Sequence, residues 1–420
     1  MHRRWRVLLL CVLTIPIYSL GFRYHGAIDT QPAELLPISL LTEGDLDFDE
    51  FQKKDEPLPY CFVPVNGRIV SAYPVLTGLI NVPSYAIARV LGVDLMAERI
   101  TLSKLTAIAV TVGAVVALFF ALTAVSTDAS AFGFALLSAF GTGLWSVSSM
   151  AVWQHGVSVL MISLALVVLL RSDGRGLSWA GLCLGCAVWA RPTNLAVALP
   201  VAVYVAWMWR DRLLGFLAGA AVPAVLMGIY AHVYWGSIMT GGAAYRAGGG
   251  GTGPFVAGMD GSLLAGLAGV LISPSRGLFV FTPVLLFALP AALRAWRSPL
   301  YAALAAGSLG VILLTAKWRI WWGGHSFGPR LLTDILPILV VFLALSWRSI
   351  AASRVRLAGF AVAAVLSVYV QVLGVYMYPT QWNISPTNID DDRGRLWDVR
   401  DTELRRAHRN LLGLIRAALR

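Results

Sequence analysis

Charge is scarce in this chain. Only 13% of its 420 residues are charged, against 58% hydrophobic, about half the charged share of an ordinary soluble domain. Such a surface cannot be covered in water, which excludes a soluble enzyme or binding module. Cysteine is also sparse: four residues, with no spacing that reads as a disulfide framework. Cys183 and Cys186 form a C-x-x-C inside the apolar run 179–190, with no second pair and no histidine nearby. They read as small packing residues, neither metal ligands nor a redox pair. No internal repeat is visible, and the interiors of the apolar runs are nearly free of charge. That argues against a transporter or lipid flippase, the rival class, which needs paired broken helices and ionisable groups at mid-span.

What is present is a series of long apolar runs. The sequence predicts an all-α polytopic integral membrane protein of eleven spans: 6–21, 100–124, 130–148, 152–170, 177–190, 193–209, 213–234, 278–293, 299–316, 331–347 and 357–378. Residues 1–378 form the transmembrane domain and 379–420 a short polar tail. The N-terminal Arg3-Arg4-Trp5-Arg6 precedes an apolar run with no small-residue cleavage site, so it reads as an uncleaved span with a cytoplasmic basic end. The turns this frame places inside, 171–175, 210–212, 294–297 and 348–356, are short and basic. The net charge of +11 (33 basic minus 22 acidic residues) therefore reads as topology determinants, with no nucleic-acid partner. Alanine, glycine and arginine content suggests a GC-rich bacterial gene, hence the inner (plasma) membrane.

The first outer loop, 22–92, is polar as far as residue 72. It holds nine acids against four bases over 22–72. Asp45, Asp47, Asp49 and Glu50 alternate as in a calcium loop but lack a glycine at the sixth position, so they read as a solvated acidic stretch; a divalent cation stays open and no metal site is assigned. Residues 73–92, broken by Pro74, Gly78 and Pro83, read as one or two surface-lying helices. Arg191-Pro192 breaks two short spans. The tail ends in a basic amphipathic stretch, with Leu404, Leu411, Leu412, Ile415 and Leu419 against Arg405, Arg406, Arg409 and Arg416. The odd span count puts this stretch outside.

The same frame gathers the chemically unusual turns on the outer face: the acidic loop, 153–156, 190–194, the glycine-rich 245–253 with Arg246, 273–277 and 317–330. Arg191, Arg276, Lys317, Arg330 and His325 would supply positive charge for phosphate oxygens. Trp318, Trp321 and Trp322 suit a sugar face or an interfacial aromatic belt. His155, at a helix entrance, would touch the acceptor or phosphate, or be a hydrogen-bonded structural histidine. Asp29 lies eight residues past the first span. Glu34, its nearest competitor, falls in the run that reads as the next helix and is expected to face water.

These segments resemble the GT-C superfamily of membrane glycosyltransferases, which take a sugar from a polyprenyl-phosphate carrier and include protein O-mannosyltransferases, aminoarabinose transferases and arabinofuranosyltransferases. Asp29 followed by the run 33–44 is similar to the family's first-loop acid and helix. Tyr73-Pro74 with residues 76–83 looks like its surface helix, and Ala190-Arg191-Pro192-Thr193 like a turn between two short spans. Gly323-Gly324-His325-Ser326-Phe327-Gly328-Pro329-Arg330 is similar to a segment of bacterial relatives. Thr30-Gln31-Pro32 stands where many members place an aromatic. The likeness, over about 1–347, implies an inverting glycosyltransferase at the extracytoplasmic face. Asp29 would be its catalytic carboxylate. Arg276, Arg330, Arg191, His325 and Lys317 would hold the donor phosphate, and His155, Tyr73 and Trp322 would contact acceptor or sugar. A non-catalytic lipid-binding relative would keep the basic cluster without needing Asp29.

Overall fold

The computed structural model describes residues 2–52, 56–171, 173–236, 238 and 258–419; the turn 245–253, with Arg246, lies outside the described residues. The fold is helical, with one small hairpin. Six stretches among the described residues are long and apolar enough to cross a membrane: Arg3–Phe22, Arg99–Leu122, Arg210–Trp235, Pro299–Lys317, Arg330–Ala351 and Arg354–Tyr376. They contain the long helices α1 (Arg3–Ser19), α4 (Arg99–Leu122), α9 (Leu213–Trp235), α13 (Pro299–Lys317), α14 (Leu336–Ala351) and α15 (Arg354–Tyr376). Shorter apolar helices complete the bundle: α5 (Asp128–Gly141), α6 (Gln154–Leu169), α7 (Leu177–Ala190), α8 (Leu195–Met208) and α10 (Leu263–Ile272).

The structure departs from the expected boundaries where the backbone is interrupted. The run 278–293 is not one helix: α11 (Leu278–Phe281) ends at Thr282, and a 3-10 turn from Pro283 leads into α12 (Leu289–Ala292). Pro283 and Pro290 remove two amide donors and explain the break. Residues 130–148 are helical only to Gly141, then pass through extended Thr142 into a π turn, Leu144–Ser148. Helix α10 falls within what the sequence suggested was an outer turn. At ten residues it is about 15 Å long, too short to cross.

The first loop folds as a cap on one end of the bundle. Helix α2 (Gln31–Thr42) leads to the antiparallel strands β1 (Phe62–Val65) and β2 (Arg68–Ser71), joined at Asn66-Gly67, both with positive φ. That dipeptide is the residue pair a two-residue hairpin turn requires. A single helix, α3 (Leu76–Val90), follows. Leu36 of α2 packs with Val75, Phe48, Phe62 and Trp189 of α7, and Asn81 donates to Ala33 O (2.9 Å) and Ser103 Oγ (3.0 Å). The acidic stretch is not freely solvated. Asp45 accepts from Ser39 Oγ at 2.8 Å, Asp49 accepts from the Ile69 amide, and Asp47 is buried. Backbone donors and Ser39 replace water there.

Ion pairs sort the turns by end. Arg3 and Arg6 pair with Asp128 at 2.8 and 3.1 Å, bringing the N-terminus to the α4–α5 turn. At the opposite end the tail folds back over the bundle. Trp382, Ile389 and Leu396 bury against Trp322, and Ser273 Oγ donates to Leu396 O at 2.7 Å. The tail closes with α16 (Glu403–Ala418), capped by Thr402, whose hydroxyl accepts from the Arg405 amide at 3.0 Å.

Helices α7 and α9 pack backbone to backbone through small residues, the usual way membrane helices approach closely. A Cβ on Gly181 would lie 2.0 Å from Phe216 O, and one on Gly219 would lie 2.0 Å from Ser178 O, whereas one on Gly215 would meet nothing within 4 Å. Gly181→Ala and Gly219→Ala are therefore expected to lower the Tm of the detergent-solubilised protein, at a cost of about 1–3 kcal/mol each. Gly215→Ala should leave it unchanged. Equal Tm values for all three variants would refute the close α7–α9 approach.

Candidate active site

Beneath the cap, one carboxylate gathers three side chains from distant points of the chain. Asp29 lies in the turn Ile28–Thr30 that leads into α2. Its Oδ2 accepts from Arg330 Nη2 at 2.9 Å, its Oδ1 from Tyr73 Oη at 2.9 Å, and the Tyr60 hydroxyl donates to it as well. Arg330 also donates to Gly323 O at 2.8 Å, and its guanidinium lies 4.2 Å from the centre of the Trp153 ring. Arg330 Nε is buried with no acceptor. A narrow cleft, with room for about one water molecule, opens beside Asp29, lined by Pro32, Ser71, Tyr73, Thr77, Val152 and Gln154 among others. Burial alone would raise the Asp29 carboxyl, but Arg330 beside it, with the hydroxyls of Tyr60 and Tyr73, holds it below the usual carboxylate range.

Glu34, expected to face water, is instead buried and accepts from Tyr24 Oη (2.5 Å) and Thr30 Oγ1 (2.6 Å). It braces the turn that carries Asp29.

The turn Arg330–Ile335 delivers a second ion pair. Asp334, fully buried, accepts from Arg191 Nη1 at 2.5 Å and stands 3.1 Å from His155 Nδ1. Arg191 and His155 are thus brought together, but around Asp334. Arg191 sits in the extended link between α7 and the 3-10 turn Pro192–Asn194, so this pair pins the Arg330 turn to α6 and to the α7–α8 break.

Arg276 is committed elsewhere. Its Nη1 donates to Glu403 Oε2 (2.9 Å) and Ser275 O (2.7 Å), its Nε to Trp322 O (3.2 Å), and its Nη2 to Asn383 Oδ1 (3.0 Å) and Gly324 O (3.4 Å). All five guanidinium hydrogens have acceptors, and the side chain is 1% exposed. It locks the tail to the loop before Arg330 and has no donor left for a phosphate. Trp322 is buried and donates to Asp390 at 2.8 Å; His325 lies 3.0 Å from Asn388 Oδ1 and 3.3 Å from Asp390. The hydrogen bond with Asp390 raises the His325 imidazole above its ordinary value. Both residues serve the tail. Lys317 donates to Gly261 O at 3.0 Å. Among the described residues, Lys317, His325 and Trp322 make these contacts and none with Asp29.

Sequence reasoning named Trp153 only within the turn 153–156 and passed over Tyr60, Asp334 and Lys104. Lys104 is one of four lysines in the chain and is fully buried at the start of α4, donating to Ser149 O at 2.6 Å and lying 3.4 Å from Met150 Sδ. The signal was available: Lys104 and Asp334 are single charges inside apolar runs, where an ionisable group is costly enough to mark function. His25 lies close by. Its amide bonds to Met150 O at 3.1 Å, its Nδ1 is buried without a partner, and burial, with Lys104 and Arg23, pushes its pKa down to about 4. No three His, Cys, Asp or Glu side chains gather as a metal-holding group among the described residues.

This fold has a solved counterpart. It superposes on ArnT from Cupriavidus metallidurans, solved bound to undecaprenyl phosphate, with a TM-score of 0.57 and 15% identity, covering 98% of this chain and 76% of that one. The Archaeoglobus fulgidus oligosaccharyltransferase matches more loosely. Its complex with zinc and sulfate has a TM-score of 0.49 at 15% identity (93% of this chain, 57% of that one), and its complex with an inhibitory peptide and dolichol phosphate 0.48 at 13% (94% and 59%). No family model and no curated protein matches the sequence.

The downward shift of Asp29 has a sign that can be tested. The stabilisation from its pair with Arg330 is present above the unfolded carboxylate's pKa of about 4 and is lost as pH falls through the lower folded value. Arg330→Gln is expected to cost about 3 kcal/mol at neutral pH, read as a lower Tm, with the deficit shrinking once pH drops below about 4. An undiminished deficit in acid would assign the loss to packing on Trp153 and not to the charge pair.

Proposed function

We propose that this chain is a glycosyltransferase that moves a sugar from a polyprenyl-phosphate carrier to a hydroxyl acceptor at the extracytoplasmic face of the bacterial inner membrane. The observation that carries this reading is the Asp29–Arg330 pair, 2.9 Å apart beside a cleft at one end of an apolar bundle. The fold shared with ArnT, whose structure holds undecaprenyl phosphate, supports the choice of donor.

In the proposed reaction Asp29 takes the proton of the acceptor hydroxyl as that oxygen attacks the anomeric carbon, and the bond from that carbon to the carrier phosphate breaks. Attack from the face opposite the phosphate inverts the carbon. The acceptor hydroxyl reaches Asp29 through the cleft beside Tyr73. The leaving phosphate takes the unpartnered Nε–H of Arg330. A carboxylate paired with arginine is a weak base, so Arg330 turning toward phosphate would also free Asp29 to accept a proton. Arg276, Lys317 and His325 have no part in this proposal, and Arg191 and His155 act by holding the Arg330 turn through Asp334.

Asp29→Asn keeps the shape and removes the basicity. It is expected to slow transfer by about 10²–10⁴-fold with polyprenyl-phosphate binding retained; transfer at the wild-type rate would remove Asp29 from the chemistry. Arg330→Ala should weaken binding of the carrier phosphate and Arg330→Lys restore part of it, because the planar fork is lost. Binding equal to wild type in the alanine variant would exclude Arg330 from the donor site.

Orientation is tested independently. Ser385 is exposed on the tail, which covers the same end as Asp29. Ser385→Cys should react with a membrane-impermeant maleimide on intact cells. Reaction only after permeabilisation would place that end in the cytoplasm.

A further inference from the structure

Helix α16 is anchored at one end and unsupported at the other. Glu403 is fully buried, pairing with Arg276 at 2.9 Å and accepting from the Gly328 amide at 3.1 Å, and Ala407 is buried too. From His408 onward only Leu411 is even partly covered, and Leu414, Ile415 and Leu419 stand open. At 100° per residue, Arg405, Arg409 and Arg416 fall within about 40° of one another around the axis, and Leu404, Leu411 and Ile415 within about 40° of one another some 120° away. The apolar stripe begins against the protein, where Leu404 packs on the Phe281–Phe327 cluster, and runs on past the edge of the bundle.

Two contacts set the depth of this helix. Asn410 Nδ2 donates to Met377 O at 3.4 Å, at the end of α15, and His408 bonds with the Tyr369 hydroxyl. Tyr369 lies seven residues before that end, about 10 Å along the helix. Helix α16 therefore leaves the bundle between those two levels, beside a spanning helix whose Val362, Val365 and Leu366 face outward. That is the depth at which interfacial amphipathic helices lie, apolar face down and basic face among headgroups.

We propose that the outer half of α16 docks in the leaflet at the Asp29 end, with Leu414, Ile415 and Leu419 in the upper acyl region and Arg405, Arg409 and Arg416 on anionic phospholipid headgroups. Three arginines on one face call for anionic phosphates, and the apolar stripe continues the lipid-facing surface of α15. Because Glu403 bonds the Gly328 amide two residues before Arg330, the same helix ties the site loop to the membrane surface. This inference rests on the fold and not on the proposed transfer reaction.

The test uses the full chain in nanodiscs of phosphatidylcholine, with and without phosphatidylglycerol. Spin labels are placed at Ile415→Cys and at Ala417→Cys, on the polar side, with the four native cysteines replaced by serine. In phosphatidylglycerol discs the Ile415 label should relax preferentially with oxygen and the Ala417 label with a water-soluble nickel chelate. The Ile415 preference should fall several-fold in pure phosphatidylcholine, and equally in Arg405→Gln/Arg409→Gln/Arg416→Gln. Nickel access at both positions, or shielding of both from both reagents as under a protein partner or second copy, would overturn the docking. A preference indifferent to phosphatidylglycerol and to the three substitutions would overturn the anionic-headgroup assignment. If the cysteine-free background does not fold, amide exchange over 411–418 in the unsubstituted chain decides the matter. It should be several-fold slower in discs containing phosphatidylglycerol, and equal rates would refute the proposal.

Discussion

One turn, Arg330–Ile335, carries two buried ion pairs four residues apart, and much of this end of the molecule is arranged around it. Arg330 reaches Asp29 in the cap, and Asp334 reaches Arg191 at the α7–α8 break and stands beside His155 at the start of α6. A charge near the hydrocarbon is tolerated only with a partner and good hydrogen bonds. Each pair therefore demands that its distant segment be present: lose one side, and the other is left buried and uncompensated. The turn is a junction at which the beginning, middle and end of the sequence meet.

Different arginines meet that demand differently. Arg276 places every donor on the tail and its neighbouring loops, and so acts as a fastener. Arg330 leaves Nε without an acceptor, and its partner Asp29 opens on a cleft. In a water-poor site such an uncommitted donor is costly unless something accepts from it. That difference in commitment separates a structural arginine from a candidate catalytic one, and residue type alone does not show it.

The cap and the tail both lie over this end of the bundle. The cap is held by apolar burial of Leu36 and Phe48 and by the Asn81 amide, the tail by the Trp322–Trp382 cluster and Glu403. The Asp29–Arg330 pair beneath them is mostly buried, which strengthens it.

The helical membrane architecture was legible because it depends on local sequence: long apolar runs, basic turns and the Arg191-Pro192 break each act within a span or at its end. Asp29 was singled out by its position after the first span and Arg330 by its glycine- and proline-rich turn, and the structure pairs the two at 2.9 Å. The roles of Arg276, Arg191, His155, His325 and Trp322 were not legible, because a side chain's role follows from which partners consume its donors. Those partners, Glu403, Asp334, Asn388 and Asp390, lie 127, 143, 179, 63 and 68 residues away in the respective pairs. Buried Glu34 escaped for the same reason, its partner Tyr24 arriving from across the turn. Periodicity and charge spacing determined which segments enter the membrane. Only tertiary packing decided which charges are spent on holding the fold and which stay free for a ligand, because desolvation and pairing act through space and not along the chain.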